Sequence, residues 1–211
     1  MTLEIIFLFA LTELALSFSP GPAVLLVVTR SMRFGARAGW RASLGIGAAN
    51  LIFYALSAAG IGAAILASYE LFQLIKWAGA AYLVWLGITM LMAGAKGSAG
   101  NLDQKVQKTQ VKPGQDFLHG FTVQASNPKN LVAFIAIIPQ FVTPGPDMAF
   151  QFFVLALITL AVELPILAAY AILSEGAVNV AGRKVLPVAE AVGGVWLIAA
   201  GAGLALWRRA T

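Results

Sequence analysis

Three ionisable side chains stand deep inside apolar stretches of this sequence: Glu13, Lys129 and Glu163. A lysine at the centre of a bilayer costs about 2.5–3.5 kcal/mol on insertion scales, so it requires a partner, a wet cavity or a route for its head to the interface. Facing a cavity, Lys129 would bind a carboxylate, either a ligand's or that of Glu13 or Glu163. The two glutamates admit two roles. Burial raises a carboxyl pKa towards the working range, which suits proton coupling, and a carboxylate beside a buried lysine equally serves as its static counter-ion. Glu13 shares a helix face with Ser17, four residues on, and Glu163 follows Thr159 by one turn.

Two breaks accompany these charges, Ser19-Pro20-Gly21-Pro22 and Asn127-Pro128-Lys129. Proline inside a helix removes a donor and clashes with the preceding turn, at about 3 kcal/mol or more. In lipid the freed backbone groups have no water to turn to, so such a break survives only against protein or a wet cavity. A half-helix restarting after Pro20-Gly21-Pro22 points unpaired N–H groups and a positive dipole end inward, donors that suit a carboxylate. The same holds after Asn127-Pro128, where the Asn127 side chain is placed to cap the new helix or to bond a ligand. A kink that only helps packing is the competing reading of each break. Asn50, on a facing stripe, is a further candidate contact, and Gln124 and Tyr54 are secondary ones, since polar residues in membrane helices more often bond across helices. The single histidine, His119, makes no metal site alone, and no cofactor is expected.

The elements that must position these residues follow from composition. The chain is 60% hydrophobic and 11% charged, against roughly 25% charged in a soluble domain, which makes it an integral membrane protein. Apolar runs of bilayer length recur along it, at about 3–29, 42–66, 71–93, 117–142, 148–173 and 188–207, near the 20 or so residues a span needs. The first is longer than a bilayer requires, and the break explains the excess. These six spans leave no room for a sizeable water-soluble domain. The start of the chain lacks a basic region and reads as a retained first helix. Residues 94–116 read as a flexible polar linker whose charges face water. The absence of cysteine excludes disulfides, thiolate metal sites and membrane thiol-redox carriers.

The net charge of +5 follows topology and is no sign of nucleic-acid binding. Ten of the fourteen basic residues lie between spans 1 and 2, 3 and 4, or 5 and 6. Positive charge stays in the cytoplasm, so those loops face in and both termini face out. Three spans per half, with the first span of each half broken, describe two inverted repeats, residues 1–93 and 117–211. That pattern points to a transporter site at the midplane. Small-residue stripes on spans 2 (Gly39, Ser43, Gly47) and 6 serve packing within the chain or between copies, so a homodimer stays open.

Ser19-Pro-Gly-Pro-Ala-Val-Leu-Leu, Gly35-Ala-Arg-Ala-Gly39, the stretch from Lys76 to Gly87, and Gly120 through Asn127-Pro-Lys129 to Pro139-Gln-Phe-Val142 together resemble the LysE/RhtB family of amino-acid exporters. The resemblance covers essentially the whole chain. It implies export of amino acids or close derivatives across the bacterial plasma membrane, an amino acid as the partner besides the lipid bilayer, and no enzymatic activity. It also marks Ala23 as a binding position, because the family often carries Asn or Asp directly after Pro-Gly-Pro. A cation exporter of a related branch is the alternative. It fits less well, since hard cations want several oxygen ligands and here Lys129 would stand beside them.

Overall fold

A computed structural model of the chain describes residues 1–18, 21–59, 69–99, 113–143, 145–181 and 185–206. Within these the protein is all-helical: α1 Leu3–Phe18, α2 Pro22–Phe34, α3 Ala36–Ala58, α4 Tyr69–Ala99, α5 Pro113–Ala125, α6 Pro128–Val132, α7 Met148–Ala181 and α8 Val185–Leu206. Both breaks are helix starts. Pro22 and Pro128 each occupy the first helical positions of α2 and α6, where the missing N–H would have had no partner in any case and the fixed φ already suits a helix. The axes of α1 and α2 meet at 54°. Ser19 and Pro20 lie outside the described residues.

A plain restarted helix is what the sequence suggests after Asn127, and the structure differs. The α-helix lasts from Pro128 to Val132, then passes into a π-helical turn, Ala133–Ile137, and a 3₁₀ turn, Ile138–Phe141. Pro139 supplies the reason: it has no N–H to offer the carbonyl of Ile135, so the α pattern cannot continue through it. The turn that follows is pinned by Gln151, whose side-chain amide donates to the Thr143 carbonyl and accepts from the Thr143 N–H, both at 2.9 Å.

Helix enters the expected linker, 94–116, from both ends. α4 runs on to Ala99 and α5 begins at Pro113, with 100–112 outside the described residues. Nor does every charge in it face water. The Asp116 side chain is fully buried, accepting from Arg30 Nε at 2.9 Å and Arg41 Nη1 at 3.2 Å. The Arg183-Lys184 turn and the Trp207-Arg208-Arg209 end also fall outside the described residues.

Glycines set the helix crossings. A Cβ on Gly45 would stand 2.0 Å from the Phe117 carbonyl oxygen, and one on Gly120 would stand 1.9 Å from that of Ala42. Helices α3 and α5 therefore touch backbone to backbone. Gly87 and Gly194 do the same for α4 and α8, each facing the other's carbonyl. Of the expected stripe on α3, Gly39 faces Ser31 and Ala171, and Gly47 faces Leu160. On that helix it is Gly45, off the stripe, that meets another helix's backbone.

The exterior is apolar and the interior partly polar. Phe7, Leu8, Phe150, Phe153, Ile172 and Leu173 are exposed, while Glu13, Ser17, Asn50, Gln124, Asn127 and Thr159 are buried. An apolar outer face of this kind meets lipid. Among the described residues, the helix Met148–Val180 is long and apolar enough to cross a membrane alone, and α1 with α2 does so as a bent pair.

Candidate functional site

The end of α1, the start of α2, the middles of α3 and α7, and the α5–α6 break meet around a cavity of about 50 Å³. Each piece arrives for a local reason. Pro22 fixes the start of α2, and Gly21, extended at φ −139°, gives it no side-chain cap. The Ala23 and Val24 N–H groups therefore have no partner within the helix, and both residues line the cavity. Asn127 does cap its helix: its Oδ1 accepts from the Lys129 N–H at 3.1 Å.

Lys129 ties one break to the other. Its stem passes Gly21, with Cδ 3.6 Å from where a Cβ on that glycine would sit, and its ammonium donates to the Leu16 carbonyl. In an unbroken helix that carbonyl would accept from residue 20, but proline has no N–H. The lysine of the second break thus serves the carbonyl freed by the first, at a helix C-terminal end where a cation is favoured.

Glu13 and Ser17 line the same cavity, with Ser17 Oγ donating to Glu13 Oε1 at 3.5 Å. Glu163 enters from α7. It is reached by a head-to-tail chain of side-chain amides that begins at the α6 cap. Asn127 Nδ2 donates to Gln124 Oε1 at 3.1 Å, Gln124 Nε2 to Asn50 Oδ1 at 2.9 Å, and Asn50 Nδ2 to Glu163 Oε2 at 2.6 Å. Every amide points its donor towards the carboxylate, and aligned hydrogen bonds of this kind polarise one another. Beside them the Tyr54 hydroxyl and Thr159 Oγ1 lie 2.7 Å apart.

The structure thus brings Glu13, Gly21, Ala23, Asn50, Asn127, Lys129 and Glu163 to one cavity. Pro22 and Pro128 act through the backbone, as helix starts, and Pro20 lies outside the described residues. Gln124 stands at the centre of the amide chain, although the sequence marks it only as one of several secondary polar residues. Thr159 and Asn130 also line the cavity. Their one legible signal is polarity within an apolar run, which does not say which neighbour they face.

Chemically, the cavity offers an ammonium, two carboxylates and the open N–H groups of a helix start within one small volume. A ligand with both a carboxylate and an ammonium complements it. The carboxylate suits Lys129 and the α2 start, and the ammonium suits Glu13 or Glu163.

The family model described as LysE type translocator matches residues 14–207. A protein of Salmonella typhimurium named homoserine/homoserine lactone efflux protein is 33% identical over 175 residues, covering 83% of this chain and 82% of its own length. Its counterpart in Salmonella typhi, of the same name, shows the same identity and coverage. A Vibrio cholerae protein, named an uncharacterized membrane protein, is 29% identical over 174 residues, with 82% of each chain covered. No solved structure matches.

Proposed function

The chain belongs to the LysE type translocator family, and on that premise we propose that it exports small amino acids or close derivatives across the bacterial plasma membrane by alternating access. The observation that carries this reading is the cavity, where Lys129, Glu13 and Glu163 meet the open start of α2. A zwitterion fits that set of charges. The Salmonella relatives are named for efflux of homoserine and its lactone, which makes homoserine the first substrate to try. Ala23 lines it and adds no polar side chain, so selectivity rests on the surrounding amides and hydroxyls.

The proposal includes six spans in two inverted triplets: α1 with α2, α3 and α4 in the first, and α5 with α6 and its irregular turns, α7 and α8 in the second. Packing supports it. Exchanging the halves turns the α3–α5 contact into the contact of α7 with α1, and it leaves the α3–α7 and α4–α8 pairs as they are. A pseudo-two-fold axis relating inverted repeats produces that pattern. With the arginine-rich junction of α2 and α3 inside, both termini lie outside. Glu163, at the end of the amide chain, and Glu13 are the groups placed to carry a coupled proton.

Purified protein in liposomes loaded with labelled homoserine, and separately with other amino acids, tests the proposal. Efflux is expected, and faster with an inward proton gradient. Failure to release every amino acid tried overturns the reading, and release indifferent to the gradient removes proton coupling from it.

A further inference from the structure

We propose that a second amino-acid site lies at the other end of α2, a loading site separate from the central cavity; it rests on the exporter reading for its role. A cavity of about 140 Å³ opens there between the last turns of α2, the middle of α4, α5 and the second turn of α8. Its polar lining is Arg30, Arg33, His119 and Glu190, with Thr29 and Thr89. Arg33 Nη1 lies 3.3 Å from Glu190 Oε1, while Arg30 is held by Asp116, which also accepts from Arg41. The lining itself carries two guanidinium groups against one carboxylate, and the Asp116 behind Arg30 is shared with Arg41, so one positive charge is in excess. His119 adds a buried Nδ1 that has no hydrogen-bond partner among the described residues.

A zwitterion answers each of these. Its carboxylate takes the surplus guanidinium charge, its ammonium meets Glu190, and a polar side-chain atom meets His119. The floor is apolar, and it is also the partition. Leu26, Val27, Leu83 and Val123 are each at most 1% exposed and pack in one cluster with Ala23, which lines the central cavity. From Ala23 to Arg30 is seven residues, a rise of about 10 Å along α2. The two cavities are therefore stacked along one helix with a closed apolar layer between them. In an exporter whose arginine-rich side faces the cytoplasm, this upper cavity is where substrate first docks.

The sole histidine of the chain makes a direct test. Full-length protein in lipid nanodiscs, carrying nitrogen-labelled histidine, reports a single imidazole, and its ring-nitrogen pattern comes from this cavity alone. L-homoserine should shift it saturably, both in wild type and in Lys129→Ala, where the central site is crippled. Glu190→Gln should weaken the titration about tenfold, the cost of one charge-assisted contact. The half-exposed Arg33→Gln serves the same purpose if Glu190→Gln fails to fold. A shift lost in Lys129→Ala is an echo of the central cavity and overturns the proposal, as does an equal shift with acetate, which has no ammonium. Export of homoserine without any shift overturns this site alone. Neither export nor shift overturns both readings.

Discussion

Lys129 answers two demands at once, and its variants separate them. Its ammonium serves the carbonyl that Pro20 leaves without an N–H, and it is the cation of the central cavity. Lys129→Met keeps the stem but removes the charge. It should abolish homoserine efflux and cost about 1.5–3 kcal/mol of stability, the range for a hydrogen bond to a charged group. Efflux from liposomes and unfolding in mixed detergent micelles read the two effects, and wild-type efflux in this variant would remove Lys129 from the site. Asn127 divides in the same way. Asn127→Ala loses the cap, at about 1 kcal/mol. Asn127→Ser keeps a cap but cannot reach Gln124, so it should fold like wild type and export more slowly; equal efflux by wild type and Asn127→Ser would show that the amide chain plays no part. The cap was legible in the sequence because capping is local, spanning residues 127 to 129. The bond from Asn50 to Glu163 was not, because 113 positions separate the partners and polarity alone names no partner.

Among elements, the crossings rest on glycines that periodicity ranks poorly. The four-residue stripe of Gly39, Ser43 and Gly47 stands out in sequence, yet the helix backbones touch at Gly45, off that stripe, because the partner surface of α5 decides where contact falls. Gly45→Ala and Gly120→Ala each drive a methyl into a backbone carbonyl that cannot step aside. Each should destabilise by about 3 kcal/mol or more, the upper range for overpacking. Gly203→Ala is the control. Nothing among the described residues lies within 4 Å of its added carbon, so it should gain up to about 1 kcal/mol from helix propensity. Equal unfolding midpoints for all three variants would mean that the α3–α5 crossing is looser than this geometry. The π and 3₁₀ turns after α6 escaped sequence reasoning for a related reason. Pro139 announces that a regular helix must stop, but several irregular paths satisfy a missing donor, and packing against Phe9 and Tyr54 selects one.

The whole molecule inverts the soluble pattern, with apolar residues outside and amides, carboxylates and a lysine within. Composition alone conveyed this, because burying so little charge under so much apolar surface has one solvent that suits it. Which face of the membrane each loop meets is a separate matter of charge, and it yields a sharp prediction because the chain has no cysteine. Single substitutions Thr2→Cys, Gln107→Cys and Thr211→Cys each give one reactive thiol. With six spans and the basic loops inside, a membrane-impermeant maleimide should label Thr2→Cys and Thr211→Cys in intact cells, and Gln107→Cys only after permeabilisation. The two ends report parity: an odd number of spans would put them on opposite faces and dismantle the inverted triplets. Gln107 reports the repeat. If it labels from the same side as Thr2, the first half holds an even number of spans, and two like halves could not be inverted. A full reversal, with only Gln107→Cys labelled in intact cells, would keep the triplets but turn the arginine-rich end of α2 outward. The larger cavity would then meet substrate at its exit.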